Sequence, residues 1–504
     1  MDSWLYDFDL DYEYDFSFLN TGSKFPTTRM LARNTEYKFR KKEFSGKYGI
    51  NRNLLILVNN IEKPIPYKLL TLNYFKLLTN KIVDLIFNNE VIIKCGDTTL
   101  DNELNNIVEK TAWLSSIRKA VKFVTIYGDS CIKTYKSGAS VFTPLHAFKV
   151  VDENNVDEVK AYVLYTPILK EELGKKIVKY IRFEIHTKGY IYECIKEYSG
   201  GFNAGTLGVS VEYTYKGRKI NKEGNWYQTG INDCEMVQWL SINNGVDDVY
   251  GESVYQDIQD IVFALEHRIS MEHHALNSLA DPLLIVGMSS VMEDENGHYK
   301  LKTVNGNMIV TEDRNNDKAI TPQSFQQEFK LDVYADFIDQ LKSELYELSE
   351  LGRVFLSSEY SGNISEESIS NLIKGAIDKA TRILTDTYYS IRDSLYVLAV
   401  SNGLNIKKED LTIVFNMGQT DSDKNIAEVC QILAQYKILS RQSLREKYFG
   451  YSQEQSDNEE SLILKEDQQI IENDVSGDNL INQDNENLNI NSKEDITNET
   501  NWFT

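Results

Sequence analysis

The sequence predicts an α+β chain of several domains, and three observations carry that reading. Short β-like runs separated by turn signals fill residues 141–240: AYVLYTPI, YIRFEIHT, YIYECIKEY, VSVEYTYKG and CEMVQWLSI. Two amphipathic helical runs, Glu252–Leu279 and Ser324–Leu351, flank a Gly/Asn/Asp-rich piece with β-like patches, Asp281–Pro322. A third, proline-free helical run extends from about Ile364 to Val400. At 504 residues the chain has length for two to four domains.

The elements follow in order. Residues 1–20 alternate acids with aromatics (Trp4, Tyr6, Phe8, Tyr12, Tyr14, Phe16, Phe18), and the next thirty are basic. They read either as a solvated arm or as an arm that docks on a neighbouring subunit. Residues 66–89 predict a helix with Pro66 in its first turn, and a strand follows at Val91–Lys94. A helix is expected over Leu100–Lys122, then a strand Phe123–Tyr127 that turns at Gly128-Asp129 and resumes at Cys131–Tyr135.

In the run beginning at Glu252, Val254, Ile258, Ile261, Leu265, Ile269, Leu276 and Leu279 recur at steps that place most of them on one face. Phe325, Phe329, Val333, Phe337, Leu341, Leu345, Leu348 and Leu351 do the same in the second run. Each helix would be roughly 42 Å long at about 1.5 Å per residue, and Asp281-Pro282 ends the first. The two form a hairpin with a small β element at its tip. GRVFLSSEYSGN after Leu351 reads as a loop. Asn363 and Glu366 cap the helix that follows; Gly375 is its candidate kink and Asn402-Gly403 its stop. A strand Leu411–Met417 is expected, then helices Ser422–Tyr436 and Arg441–Phe449 with Ser440 as cap. Residues 452–504 carry fourteen acids against Lys465 and Lys493. That composition predicts disorder beyond a short helix near Leu462–Ile471.

Composition narrows the function. A net charge of −22 disfavours tight, static nucleic-acid binding but not a sliding contact. Five scattered cysteines without a CxxC pair read as reduced thiols, neither a disulfide framework nor a zinc site. The acidic, aromatic N-terminus does not look like a signal peptide, and no 18-residue apolar run could span a membrane. No GxxxxGK[ST] or GxGxxG loop is present, so neither a motor nor a dinucleotide enzyme is expected, and no cofactor. Gly128-Asp129-Ser130 resembles an esterase nucleophile block, yet no histidine has an Asp three residues before it. A turn between strands is the plainer reading. Glu266, His267, Glu272, His273 and His274 share a helix, but His267 and His273 are six apart, so a helix interface is expected there rather than a metal. Lys300, Lys302, Arg314 and Lys318 surround the hairpin tip, as a partner patch or a solvated surface. Arg353 stands beside Val354, Phe355 and Leu356 in a loop whose plain use is core packing.

The order of these elements resembles the portal proteins (head-to-tail connectors) of tailed bacteriophages, of the type found in phages of Gram-positive hosts, over roughly residues 50 to 475. Four strings carry the resemblance. NKIVDLIFNNEVII (Asn80–Ile93) is similar to the helix-then-strand near the start of these proteins. IRKAVKFVTIYGDSCIKTY (Ile117–Tyr135) is similar to their aromatic-Gly-Asp-Ser turn. YGESVYQDIQDIVFALEHRISMEHHALNSLADPLLIVG (Tyr250–Gly287) resembles the GxS lead-in to their long stem helix. Asp421–Glu472 resembles their C-terminal block, with Ile438-Leu439-Ser440 at the cap and Lys437 in place of the usual Gly.

The resemblance implies a structural ring, usually of twelve copies, at one capsid vertex of the virion, assembled in the host cytoplasm and not an enzyme. It implies an N-terminal arm (1–49), a wing (50–250), stem helices (251–280 and 324–351), a clip (281–323) and a tunnel loop (352–363). A long helix with a wing strand (364–418), a crown (419–455) and the acidic tail (456–504) complete it. Arg353, Val354, Phe355, Leu356, Ser357 and Ser358 would line the channel constriction, and Lys300, Lys302, Arg314 and Lys318 the clip surface. Implied partners are double-stranded DNA in transit during packaging and ejection, the terminase large subunit, a head-tail adaptor, and the major capsid and scaffolding proteins, with no membrane. The residues alone leave open a cytosolic hydrolase built on Gly128-Asp129-Ser130, or another tail or baseplate protein.

Overall fold

The computed structural model describes residues 13–48, 53–58, 61–172, 175–201, 204–243, 250–280, 283–287, 291–293, 299–301, 308–311, 323–325, 331–352, 366–417, 442 and 456–465. Met1–Gly418 forms one compact unit and Gln419–Thr504 a second.

Among the described residues, seven α-helices organise the first unit: α1 (Thr28–Ser45), α2 (Tyr74–Ile86), α3 (Thr98–Lys110), α4 (Trp113–Tyr127), α5 (Gln259–Ala280), α6 (Leu331–Leu348) and α7 (Glu366–Ser401). The main core lies where α2, α4, the start of α5 and α7 meet. Trp113, Ile117, Ala120, Val121 and Val124 of α4 are fully buried there, with Ile391, Leu395 and Leu398 of α7. Trp113 donates its Nε1–H to Ser394 Oγ at 3.0 Å, which pairs with Thr134 Oγ1 at 2.8 Å. A buried indole thus keeps its polar tip satisfied.

The β-runs form an antiparallel sheet in the order Lys24–Phe25, Gly205–Ser210, Tyr190–Gly200, Lys175–Thr187, Val159–Glu172, Ala147–Val151. Asn225–Gln228 pairs with Tyr190–Gly200 beside it. One face carries a second core of Phe18, Phe25, Phe148 and Phe183, whose rings meet edge-on or tilted at 5.0–6.5 Å. A smaller sheet sets Asp129–Tyr135 between Val237–Ser241 and Gly138–Phe142. Val91–Lys94 pairs with Thr412–Phe415, tying together segments more than three hundred residues apart. Between α5 and α6, Leu283–Gly287 pairs with Met308–Thr311 and Gln323–Phe325, and Val291–Glu293 with Tyr299–Leu301.

Several expectations are corrected. Phe123–Tyr127 is helix, the last turn of α4, not strand. Its alternating Phe123, Thr125 and Tyr127 imitate a period of two, but packing is decided by the three- and four-residue steps from Trp113 to Val124. The single helix Leu100–Lys122 is two, broken where Ala112 turns left-handed (φ 50°). Pro64 and Pro66 lie in the strand Ile61–Lys68, and α2 begins only after Asn73, whose side chain accepts from the Lys76 N–H. Glu252–Tyr255 precede the helix, Gln256–Ile258 is a 3₁₀ turn and α5 starts at Gln259. Phe325, assigned to the second helix, pairs as strand with Leu283, and α6 starts at Leu331.

Residues 13–45 pack one face on their own chain, so this part of the arm is not a free, solvated tail. Phe18, Phe25, Met30 and Tyr37 are buried. The acidic tail has helix at 456–465, ahead of the expected Leu462–Ile471. The expected helices at 422–436 and 441–449 lie, apart from residue 442, outside the described residues.

Candidate functional site

Two junctions set the course of the chain around α5, α6 and α7. At the first, the backbone of Gly128 crosses that of Gly251. A Cβ on Gly128 would stand 2.4 Å from the Gly251 carbonyl oxygen, and one on Gly251 2.2 Å from that of Gly128. Gly128 also has φ +85°, a conformation costly for any side chain. Asp129 locks the crossing. Its buried carboxylate accepts from Trp239 Nε1–H (2.8 Å), Ser241 Oγ–H (2.8 Å), the Gly251 N–H (3.0 Å) and Tyr37 O–H (2.7 Å). Ser253 adds a bond from its hydroxyl to the Ile126 carbonyl at 2.7 Å.

Cations balance this carboxylate. The Arg33 guanidinium lies 3.6 Å from the Tyr250 ring centre, and Lys149 Nζ stands over Trp239 and Tyr250 at 5.2 and 5.3 Å. Burial pushes the Lys149 ammonium down to about 8, with Asp129 opposing the shift. Just beyond, buried Arg40 of α1 binds Gln256 and Gln259 (2.7 Å to the latter) and Glu43 (3.1 Å), so α1 fixes the start of α5.

The second junction lies at the end of α6. Glu350 has left-handed backbone (φ 59°), and Leu351 after it is fully buried. Buried Lys379 of α7 donates to the Ser349 carbonyl at 3.2 Å and sits 3.7 Å from Glu350. Arg382 pairs with the other Glu350 oxygen. Gly375 lets the two segments touch: a Cβ there would stand 2.9 Å from the Glu350 carbonyl oxygen. α7 runs on through Gly375, so the candidate kink serves as a point of close approach. A cavity of about 250 Å³ opens beside the junction, lined by Asp257, Glu350, Lys379, Arg382 and Asp386 among others. Burial lowers the Lys379 pKa against the pull of Glu350, and burial raises that of Asp386. The junction stands directly before residues 353–363, which lie outside the described residues.

The sequence-derived sites distribute as follows. Arg353, Val354, Phe355, Leu356, Ser357 and Ser358 lie outside the described residues, as do Lys302, Arg314 and Lys318. Lys300 is in the strand Tyr299–Leu301, opposite Met292. Ser130 is buried in its strand and its hydroxyl makes no hydrogen bond, while all four described bonds to Asp129 come from groups other than histidine. A serine without a base or an approach from solvent is no nucleophile, so the Gly-Asp-Ser string is a structural joint. Glu266 accepts from Tyr48 O–H and the Leu72 N–H, which gives it a packing role. Among the described residues no group of His, Cys, Asp and Glu is placed to hold a metal ion. Nor is any described helix long and apolar enough to cross a membrane.

Comparison with known proteins decides the family. The model of the family "Phage portal protein, SPP1 Gp6-like" matches residues 24–473. The chain belongs to the phage portal protein family. No curated protein matches it. A solved structure described as "Neck of empty GTA particle computed with C6 symmetry" resembles this portal protein over 73% of its chain and 87% of that chain. At 10% identity and a TM-score of 0.37, that likeness is too distant to carry an argument.

In the portal protein, the aromatic-Gly-Asp-Ser and Gly-x-Ser strings are the two halves of the first junction. Sequence reasoning found both strings but not their meeting. It missed Lys379, Arg382 and Glu350 altogether, and only Gly375 gave a signal there.

Proposed function

We propose that this portal protein assembles as a ring, of twelve copies in the virion, at one capsid vertex. Through its axial channel double-stranded DNA enters during packaging and leaves on ejection. Residues 353–358 line the constriction of that channel, and α5 and α6 form the stem, with 281–323 as the clip. The terminase large subunit docks at the clip surface around Lys300, Lys302, Arg314 and Lys318, and a head-tail adaptor later replaces it. The major capsid and scaffolding proteins contact the ring during assembly in the host cytoplasm.

The observation that carries the tunnel-loop role is the second junction. A buried lysine, a salt-bridged left-handed Glu350 and a glycine contact all hold one point, the root of residues 353–363. The stem is supported by apolar side chains left open along the hairpin: Leu276 of α5 is 44% exposed, and Phe337 and Leu348 of α6 are 41% and 44% exposed. Neighbouring copies in a ring would cover them. A net charge of −22 suits a wall that must not hold moving DNA. Arg353→Glu tests the assignment. Packaging or genome retention is expected to fall in particles carrying it, and unchanged packaging and retention would remove the constriction role.

A further inference from the structure

A groove of about 560 Å³ runs between α1 and the large sheet. Its floor is apolar: Phe25, Pro26, Tyr165, Val178, Ile181 and Tyr198. Its α1 side is strongly basic, since exposed Lys38, Lys41, Lys42 and Lys47 all line it. The volume falls within the range, about 300–1,000 Å³, of pockets that enclose sizeable apolar groups. An apolar floor under a rim of four cations fits an occupant that is apolar on one side and acidic on the other.

The chain itself carries such a segment. In Trp4–Tyr12, apolar residues stand at Trp4, Tyr6, Phe8, Leu10 and Tyr12, and acids at Asp7, Asp9 and Asp11. From Tyr6 to Tyr12 that is a strict period of two, broken before it only by Leu5, and in extended backbone it puts the apolar residues on one face and the acids on the other. Residues 1–12 hold no Lys or Arg.

The next residue, Glu13, stands beside the groove. Glu13 pairs with Val150, and its backbone carbonyl accepts from the Val151 N–H at 2.9 Å. Its carboxylate accepts from Thr27 O–H at 2.5 Å, one residue from the Phe25-Pro26 wall. Glu13 also lines a small cavity together with Asn34 and Tyr165, both of which line the groove as well. At about 3.3 Å per residue, the nine residues Trp4–Tyr12 before Glu13 reach roughly 30 Å, enough to run the length of such a groove.

We propose that residues 4–12 seat in this groove of their own chain, aromatics on the floor and Asp7, Asp9 and Asp11 against the lysine rim. The seated segment lies along α1, which holds the start of α5 through Arg40.

Hydrogen exchange on the full-length protein tests this, with a synthetic peptide of residues 1–13 as the unprotected reference. The amides of residues 4–12 are expected to exchange about tenfold or more slowly than in the peptide. Lys41→Glu with Lys42→Glu should abolish the protection, and adding Asp7→Lys with Asp9→Lys to that protein should restore it. Exchange at the peptide rate in the unaltered protein would overturn the seat. So would protection indifferent to the lysine reversal, which places the segment elsewhere. Protection that appears only at concentrations where copies associate would assign the groove to a second copy's segment and overturn the seat within one chain.

Discussion

The two junctions solve the same problem, fixing one backbone segment against another, by opposite means. At Gly128 and Gly251 the backbones touch, Asp129 takes four hydrogen bonds, and the surrounding side chains are buried. At Glu350 the contact is made by the ends of long charged side chains, one of them half-exposed, beside a 250 Å³ cavity. The first tolerates no added atom. The second can lose a contact and keep its helices. The difference teaches where rigidity and adjustability sit in this portal: the backbone crossing ahead of α5 is fixed by shape, and the end of α6 is set by charge.

The comparison can be broken by substitution. Gly128→Ala or Gly251→Ala should be the most damaging, costing about 3 kcal/mol or more through backbone overlap, with strained φ added at Gly128. A melting temperature within a degree or two of the parent would refute the crossing. Asp129→Asn keeps an acceptor but removes the charge that faces Arg33 and Lys149. It should cost about 2 kcal/mol in denaturant unfolding. At the second junction, Lys379→Met leaves the Ser349 carbonyl unpaired and should cost about 1 kcal/mol. Half-exposed Arg382→Ala should cost about 0.5 kcal/mol or less. If these two proved as damaging as Gly128→Ala, the contrast between shape and charge would fail.

A pH series sharpens the same contrast. Burial raises the Glu43 carboxyl to about 7, with Arg40 opposing the shift. A carboxyl raised in the folded state is stabilising when protonated in both states, below its ordinary value near 4.5. That contribution is lost as pH climbs toward 7. Glu43→Gln cannot ionise, so its stability relative to the parent should improve as pH rises from about 4.5 to 7. A constant difference across that range would show that Glu43 is not held neutral.

Much of this was legible in the sequence, and the exceptions have physical causes. α7 was readable because a long apolar stripe without proline admits one structure. Gly128 is legible as a turn and Gly251 as the lead-in to a helix, but their crossing joins positions some 120 residues apart, and local periodicity carries no such information. α4 was misread at Phe123–Tyr127 because β-branched and aromatic side chains there suit either period. The lysines of α1 make it resemble an arm in the sequence. Met30, Asn34, Tyr37 and Arg40, which it buries at steps of three and four, were the signal that it packs. Of the candidate site, Gly375 was visible but its partner was not, since a glycine in a helix signals a kink and a contact alike.

Electron cryomicroscopy of the purified full-length protein tests the central claim most directly. A portal is expected to appear as a closed ring with an axial channel narrowest at residues 353–358. Monomers or open chains of copies, or a ring whose residues 353–358 lie away from the axis, would contradict it.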